Sequence, residues 1–192
     1  MAQNRTQTKE FGFWDKIQYL FSNPNLFFEN LRYENSIKNA LITYCMVSIF
    51  ISAVSFLFSF TLGRMGGMMS GVFKLGFSSF MFFPFFSFIF GIIMTFVYSG
   101  IVHLLVIAFK GGGNFADTYK AYTYSMVPSS ILSLVPLIGF FSIIYSFVLM
   151  IIGVSKLHNI SKGYAALACL LPLVAVIGLL IYLFFIIMSR MF

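Results

Sequence analysis

Charge is what this sequence has least of. Only 9% of its 192 residues are Asp, Glu, Lys or Arg, and five of those are acids, where an ordinary soluble domain carries roughly 25%. With 60% apolar residues and a mean hydropathy of +0.96, so little charge excludes a soluble globular domain. The shortage of acids also removes most hydrolytic chemistry. After Glu34 the one acid is Asp117, so there is no carboxylate pair, and neither His-Glu-x-x-His nor Gly-x-Ser-x-Gly occurs. Cysteine is scarce as well. Cys45 and Cys169 both sit in apolar tracts, which excludes a disulfide framework and leads us to expect two reduced, buried thiols. Residues 1–37 lack an apolar core, so no cleavable signal peptide is expected and the first span acts as its own insertion signal. The net charge of +7 comes from few acids rather than many bases. It suits cationic cytoplasmic loops beside a lipid bilayer and implies no nucleic acid.

What the chain has is apolar length. Asn39–Gly63 is free of charge over 25 residues, which at about 1.5 Å per residue exceeds a bilayer core of about 30 Å. Leu75–Phe109 is too long for one straight span, and Pro84 divides it into an entry segment or kinked extension, 75–83, and a second span. Ala121–Ser155 is equally long. Its Leu-Val-Pro-Leu-Ile-Gly-Phe stretch, with Pro136 and Gly139, reads as a tight reversal between two spans. Ala165–Ser189 is the last, bent at Pro172. The expected fold is therefore all-α: a polytopic membrane helical bundle of five transmembrane helices with N-terminal interfacial helices. Its segments are 1–37, cytoplasmic with amphipathic helices, and 38–192, a five-span membrane domain with spans at about 39–63, 84–109, 116–135, 138–157 and 165–189.

Small residues mark the expected helix contacts. Ser48, Ser52, Ser55 and Ser59 form one stripe; Gly91, Thr95, Ser99 and His103 recur every four residues; Ser125, Ser129 and Ser133 line one arm of the hairpin, and Gly139, Ser142, Ser146 and Gly153 the other. Before the spans, Trp14, Ile17 and Phe21 share one helical face, which either lies in the membrane interface or packs on the bundle. Asn23 and Pro24 read as N-cap and first residue of a second short helix. That helix carries Leu26, Phe27 and Leu31 on one side and Glu29 and Arg32 away from them, as a surface-lying element. Between the first two spans, Arg64–Lys74 is rich in Gly and Met and reads as a flexible interfacial loop in preference to a soft-metal site.

Lys and Arg set the orientation. With five spans and the N-terminus inside, nine lie inside and three outside; with four spans the division is eight to four. The positive-inside rule favours five spans, a cytoplasmic N-terminus and an outer C-terminus, which makes Lys110–Lys120 and Lys156–Lys162 cytoplasmic. Gly111, Gly112 and Gly113 invite a phosphate-cradle reading. No Gly-x-x-x-x-Gly-Lys-Ser/Thr follows and no strand precedes them, so they read as a flexible connector. Tyr119, Tyr122, Tyr124 and Tyr164 fall where spans enter the membrane, as an aromatic belt does. Pro128 and Pro172 lie at matched depth, and would either open a crevice or fit two bent helices together. His103 is the one histidine inside a span, about seven residues from Lys110, and an ionisable residue there is a functional candidate. With His158, Cys45 and Cys169 it would complete a tetrahedral zinc set. The four lie on separate elements without paired spacing, so no metal and no cofactor is assigned; a neutral His103 hydrogen-bonded to a serine or tyrosine of a neighbouring span is the expectation.

One set of residues resembles a family. Asn23-Pro24 with Phe27-Phe28 precedes the first span; Gly111-Gly112-Gly113-Asn114-Phe115 follows the second; then come Tyr124-Ser125, Pro128, Pro136, Gly139, Gly153, His158, Ile160, Ser161 and Ala165. In order and spacing these resemble the Yip domain family (Ypt/Rab-interacting proteins) over about residues 20–190. The resemblance implies five spans, a cytosolic N-terminus and an adaptor role, in which eukaryotic members bind small GTPases and partner Yip-like proteins. The long cytosolic N-terminal region and the Asp-Leu-Tyr-Gly-Pro signature of those members are missing here. That argues against GTPase binding and points to a prokaryotic member in the cell membrane. The expected function is a non-enzymatic membrane adaptor or organiser, working through a cytoplasmic face built from 11–33, 110–120 and 155–164. The competing expectation is a small-solute or ion transporter with His103 in its path.

Overall fold

A computed structural model describes residues 12–34, 36–65 and 70–191; the expectations for Met1–Glu10 and for 66–69 of the Met-rich connector lie outside the described residues. Those described form helices with short connections, without strands. Two short helices come first, α1 (Phe13–Ser22) and α2 (Pro24–Leu31). Asn23 separates them and caps the second, its side chain accepting the Leu26 N–H at 3.2 Å while Pro24 occupies the first turn. The face that α2 buries is the one expected at Phe27 and Leu31, with Phe28 in the place of Leu26. Phe27, Phe28 and Leu31 are all buried, whereas Leu26 is exposed. The helix is thus wedged into the bundle rather than laid on its surface. Of the two readings left open for α1, packing on the bundle applies: Leu20 is buried, while Trp14 stands exposed.

The long helices follow: α3 (Ile37–Met65), α4 (Ser70–Ala108), α5 (Phe115–Leu132), α6 (Pro136–His158) and α7 (Lys162–Met191). α4 runs unbroken through position 84 for 39 residues, about 58 Å at 1.5 Å per residue. A proline removes one backbone hydrogen bond, and a membrane helix tolerates that loss without ending there. The connector expected over 64–74 shrinks accordingly, because α3 reaches Met65 and α4 begins at Ser70. By length and composition four segments among the described residues can cross a membrane: Ile37–Ser55, Phe86–Ala108, Leu137–His158 and Lys162–Arg190.

α5 is the exception, and the bundle is wrapped around it. Its 18 residues include Asp117, Lys120, two threonines, three serines and three tyrosines, yet Thr118 to Ala121, Thr123 to Ser125, Val127 and Pro128 are all buried. It packs against α1, α3, α4 and α6. In lipid the hydrophobic effect does not draw helices together, so polar and small side chains collect inside while apolar ones face outward. The long rows of exposed Ile, Leu and Phe on α6 and α7 are the other half of that arrangement.

Small-residue stripes provide the close contacts. A Cβ placed on Gly91 would lie 2.6 Å from the Tyr44 hydroxyl of α3. Further along the same α4 stripe, Thr95 Oγ1 meets the Tyr119 hydroxyl of α5 at 3.3 Å. On α6, Ser142 and Ser146 are buried, and Gly153 leaves room for Phe28 of α2, whose Cε1 would be 2.8 Å from an added Cβ. Pro128 and Pro172 are both buried inside continuous helices. In the turn before Pro172, the Tyr98 hydroxyl of α4 donates to the Cys169 carbonyl at 2.7 Å.

Candidate functional site

The two polar connections meet. α4 ends in a Schellman turn, in which the Gly111 N–H returns to the Val106 carbonyl at 2.9 Å and the Lys110 N–H to the Ile107 carbonyl at 2.9 Å. Gly112 then donates its N–H to the His158 carbonyl at 2.9 Å, and His158 Nδ1 donates back to the Gly112 carbonyl. The 110–114 connection and the end of α6 are therefore stitched together at one end of the bundle. Two of the three glycines have a local reason. A Cβ on Gly111 would fall 2.5 Å from Val106 Cγ1; Gly113 has φ +82° and sits 2.9 Å, at its Cβ position, from both Asp117 Oδ2 and His158 Nδ1; Gly112 is the exposed link between them. Lys110 takes the left-handed position, φ +60°, that glycine ordinarily fills in this motif. Lys110→Gly should accordingly raise stability by about 1 kcal/mol, read as a higher thermal midpoint in detergent; an unchanged or lower midpoint would contradict the strain.

Asn114 and Asp117 start α5 with a reciprocal box. The Asn114 side chain accepts the Asp117 N–H at 3.1 Å, and Asp117 Oδ2 accepts the Asn114 N–H at 3.0 Å. The other oxygen of Asp117 holds Lys120 Nζ at 2.9 Å. Lys120, fully buried, uses its remaining two hydrogens on the Leu31 carbonyl at 3.1 Å and the Glu34 carbonyl. An ammonium from α5 thus caps the C-terminal end of α2, where the helix dipole is negative. All three of its donors are satisfied, as a buried cation requires.

Further ion pairs fasten the N-terminal helices to the same end. Lys16 of α1 reaches Glu34 at 3.2 Å and the Tyr124 hydroxyl at 3.1 Å, while Asn39 donates to Glu34 as well. Burial pulls the Lys16 ammonium toward losing its proton, but the Tyr124 hydroxyl and the Glu34 carboxylate outweigh it and hold the pKa above the ordinary lysine value. A raised lysine stabilises the folded state below its unfolded pKa of 10.5, and that contribution is lost only as the pH climbs through the folded value. Lys156 pairs with Glu29 at 2.5 Å, and Arg32 donates to the Lys156 carbonyl and to Asn159 Oδ1, the latter at 2.6 Å. Asn159 is itself in the left-handed position after α6, φ 54°. Every acid among the described residues is thereby engaged, Asp15 by the Gly12 N–H at 3.3 Å. The exposed cations Lys38, Lys110 and Lys162 give this end its outward charge.

The Lys120 network, the glycine turn and the docked α1–α2 pair define the site. The Yip1 domain family model matches residues 18–184. The chain belongs to the Yip1 domain family. No match was found among curated proteins or among solved structures. The Yip1 domain spans every element described above except the outer ends of α1 and α7, and the chain is accordingly a multi-pass integral membrane protein.

Within this Yip1 domain the residues singled out from the sequence fall at four places. Gly111, Gly112, Gly113, His103 and His158 come together, with Phe115 edge-on to the His103 ring at 6.0 Å between centroids. Tyr122, Ser125 and Pro128 lie deeper along α5, Tyr122 against the Tyr98 ring at 5.0 Å and Ser125 hydrogen-bonded to the Tyr122 carbonyl at 2.7 Å. Pro136 opens α6 at the far end of the hairpin, while Ser161 leads into α7, its hydroxyl accepting the Tyr164 N–H at 3.4 Å. The four residues of the zinc reading divide: the His103 and His158 rings lie 5.7 Å apart, whereas Cys169 sits beside Tyr98, and among the described residues no three potential ligands converge. His103 bonds neither serine nor tyrosine but Thr118. Thr118, Lys120 and Asp117 are the residues that sequence reasoning missed. The Asn114-x-x-Asp117 spacing is the signal that places the start of α5 and, with it, the positions of Thr118 and Lys120.

Proposed function

We propose that this Yip1-domain protein is a non-enzymatic membrane adaptor or organiser whose working surface is the end of the bundle that carries α1, α2, Lys110–Asn114 and Asn159–Lys162. The observation that supports it most is the double stitch between Gly112 and His158. It holds two separate connections and, through Arg32 on Asn159, the N-terminal helices as one preformed face. On this reading the face is cytoplasmic, following the nine-to-three division of Lys and Arg. α5 then counts as a fifth crossing, sheathed by its neighbours, since it leaves that face at Phe115 and α6 returns to it at His158. The partner is a cytoplasmic protein or a second Yip-like chain, and the surface it meets carries Tyr33, Lys38, Lys110 and Lys162, all exposed. The competing reading, a solute pathway through His103, rests on Thr118, whose hydroxyl lies 2.9 Å from His103 Nδ1 and 2.8 Å from His158 Nε2.

Single cysteines at Gly112 and Asn159 should react from the cytoplasmic side of sealed vesicles, and one at Ser133 from the other. A photo-crosslinker at Gly112 or Lys162 should give a defined adduct that one at Ser133 does not. Labelling of Gly112 and Asn159 from opposite sides would sink the topology. Solute flux in liposomes that His103→Ala abolishes, with no adduct from either position, would replace the adaptor with the transporter.

A further inference from the structure

Three hydrogen bonds in series run from α4 to the Gly112 carbonyl. His103 Nδ1 lies 2.9 Å from Thr118 Oγ1, Thr118 Oγ1 lies 2.8 Å from His158 Nε2, and His158 Nδ1 is bonded to the Gly112 carbonyl oxygen. The direction of the whole chain follows from its last member. A carbonyl oxygen only accepts, so His158 Nδ1 carries a hydrogen. In neutral His158 the other nitrogen, Nε2, is then a lone pair and accepts from the Thr118 hydroxyl. That hydroxyl has a single hydrogen, already committed, so it accepts from His103 Nδ1–H. His103 Nε2 is left at the head of the chain as a bare lone pair.

We propose that His103, Thr118 and His158 form a binding site for one proton, shared between the two rings through the Thr118 hydroxyl. A proton arriving at His103 Nε2 makes that ring an imidazolium and leaves all three hydrogen bonds in place. It passes on by two linked transfers. The hydrogen on His103 Nδ1 moves to Thr118 Oγ1 as the hydroxyl hydrogen moves to His158 Nε2. The outcome is a neutral His103 with its hydrogen on Nε2 and a cationic His158 that donates from both nitrogens. Only N–H and O–H bonds form and break, the charge of the pair stays at plus one, and no electron is transferred. A second proton is disfavoured, because it would place two cationic rings 5.7 Å apart with both donating to one oxygen. The charged groups beside the pair are Asp117 and Lys120 of α5, and they are tied to each other at 2.9 Å. His103 and His158 are the facing groups from α4 and α6. The site is held by geometry on both sides: the Gly112 N–H on the His158 carbonyl at 2.9 Å fixes one end, and Phe115 stands edge-on against His103 at the other. The proposal does not depend on the adaptor reading, since proton binding at this position is compatible with either function.

The chain has two histidines, so the ring nitrogens of 15N-labelled protein in lipid nanodiscs can be assigned with one single-residue variant. At high pH both rings should be the Nδ1–H tautomer, the minor form of free histidine. On acidification both should move together in one step worth a single proton, with the second step at least about one pH unit lower. Thr118→Val keeps the shape and removes the hydroxyl. It should return His103 to the Nε2–H tautomer and split the shared step into two independent titrations, while Thr118→Ser keeps the wild-type pattern. An Nε2–H tautomer on either ring of the wild type at high pH would overturn the proposal, as would titration curves unchanged in Thr118→Val. Should the valine variant misfold, the wild-type tautomers and the Thr118→Ser titration decide the matter alone.

Discussion

Lys120→Met should cost about 3–5 kcal/mol of stability, the range found when one partner of a buried ion pair is removed. The substitution keeps side-chain length and deletes the ammonium. It leaves the Asp117 carboxylate without its cation and strips the Leu31 and Glu34 carbonyls of the donor that closes α2. The effect should be local before it is global. Release of α2 frees α1 with it, and the one tryptophan of the chain, Trp14, lies on α1, so its fluorescence should report the detachment at a lower denaturant concentration than helix loss in the spans. Trypsin should cut at Lys16 and Arg32 more readily in parallel. A variant with wild-type midpoint and wild-type proteolysis would mean that Lys120 is incidental to the docking of the N-terminal helices.

Lys120 also illustrates what the sequence conceals. Spans were legible wherever a helix meets lipid, because a long uncharged run has one physical meaning there. α5 meets little lipid. Its Asp, Lys, Thr and Tyr side chains carry the composition of a loop entering a membrane, so the expected span at 116–135 matches the extent of α5, Phe115–Leu132, but not the burial of its polar face. Those side chains are buried because the other helices surround them, and a partner that is a main-chain carbonyl, as for Lys120, leaves no trace in the sequence. The glycine turn was legible as a turn, since three glycines fit few other roles, but not as the mate of the α6 end. Helical spacing located the α4 stripe of Gly91, Thr95, Ser99 and His103 correctly because spacing is a property of one helix. Which threonine faces His103 is a property of two.

The α2–α6 contact offers the second large effect, and it can be tested from both sides. Phe28 is wholly buried, edge-on to Phe27 at 5.2 Å between centroids, and its ring occupies the space that the missing Cβ of Gly153 leaves. Phe28→Ala should cost about 3–5 kcal/mol, since the cavity cannot collapse between helices fixed at their ends by Lys120 and Arg32. Gly153→Ala pushes in the opposite sense. Its Cβ would stand 2.8 Å from Phe28 Cε1 and 3.1 Å from Ala121 Cβ, and neither an enclosed aromatic nor a helix-borne methyl can retreat freely, so the expected loss is about 1–3 kcal/mol. The two changes should not add. With the ring gone, the methyl at position 153 keeps only its contact with Ala121 and fills part of the vacated space, so the double variant should be more stable than the sum of the single losses predicts by more than about 0.5 kcal/mol, the limit for independent sites. Strict additivity of the three unfolding midpoints would show that α2 does not seat on Gly153 in solution, and would remove the packing on which the preformed face depends.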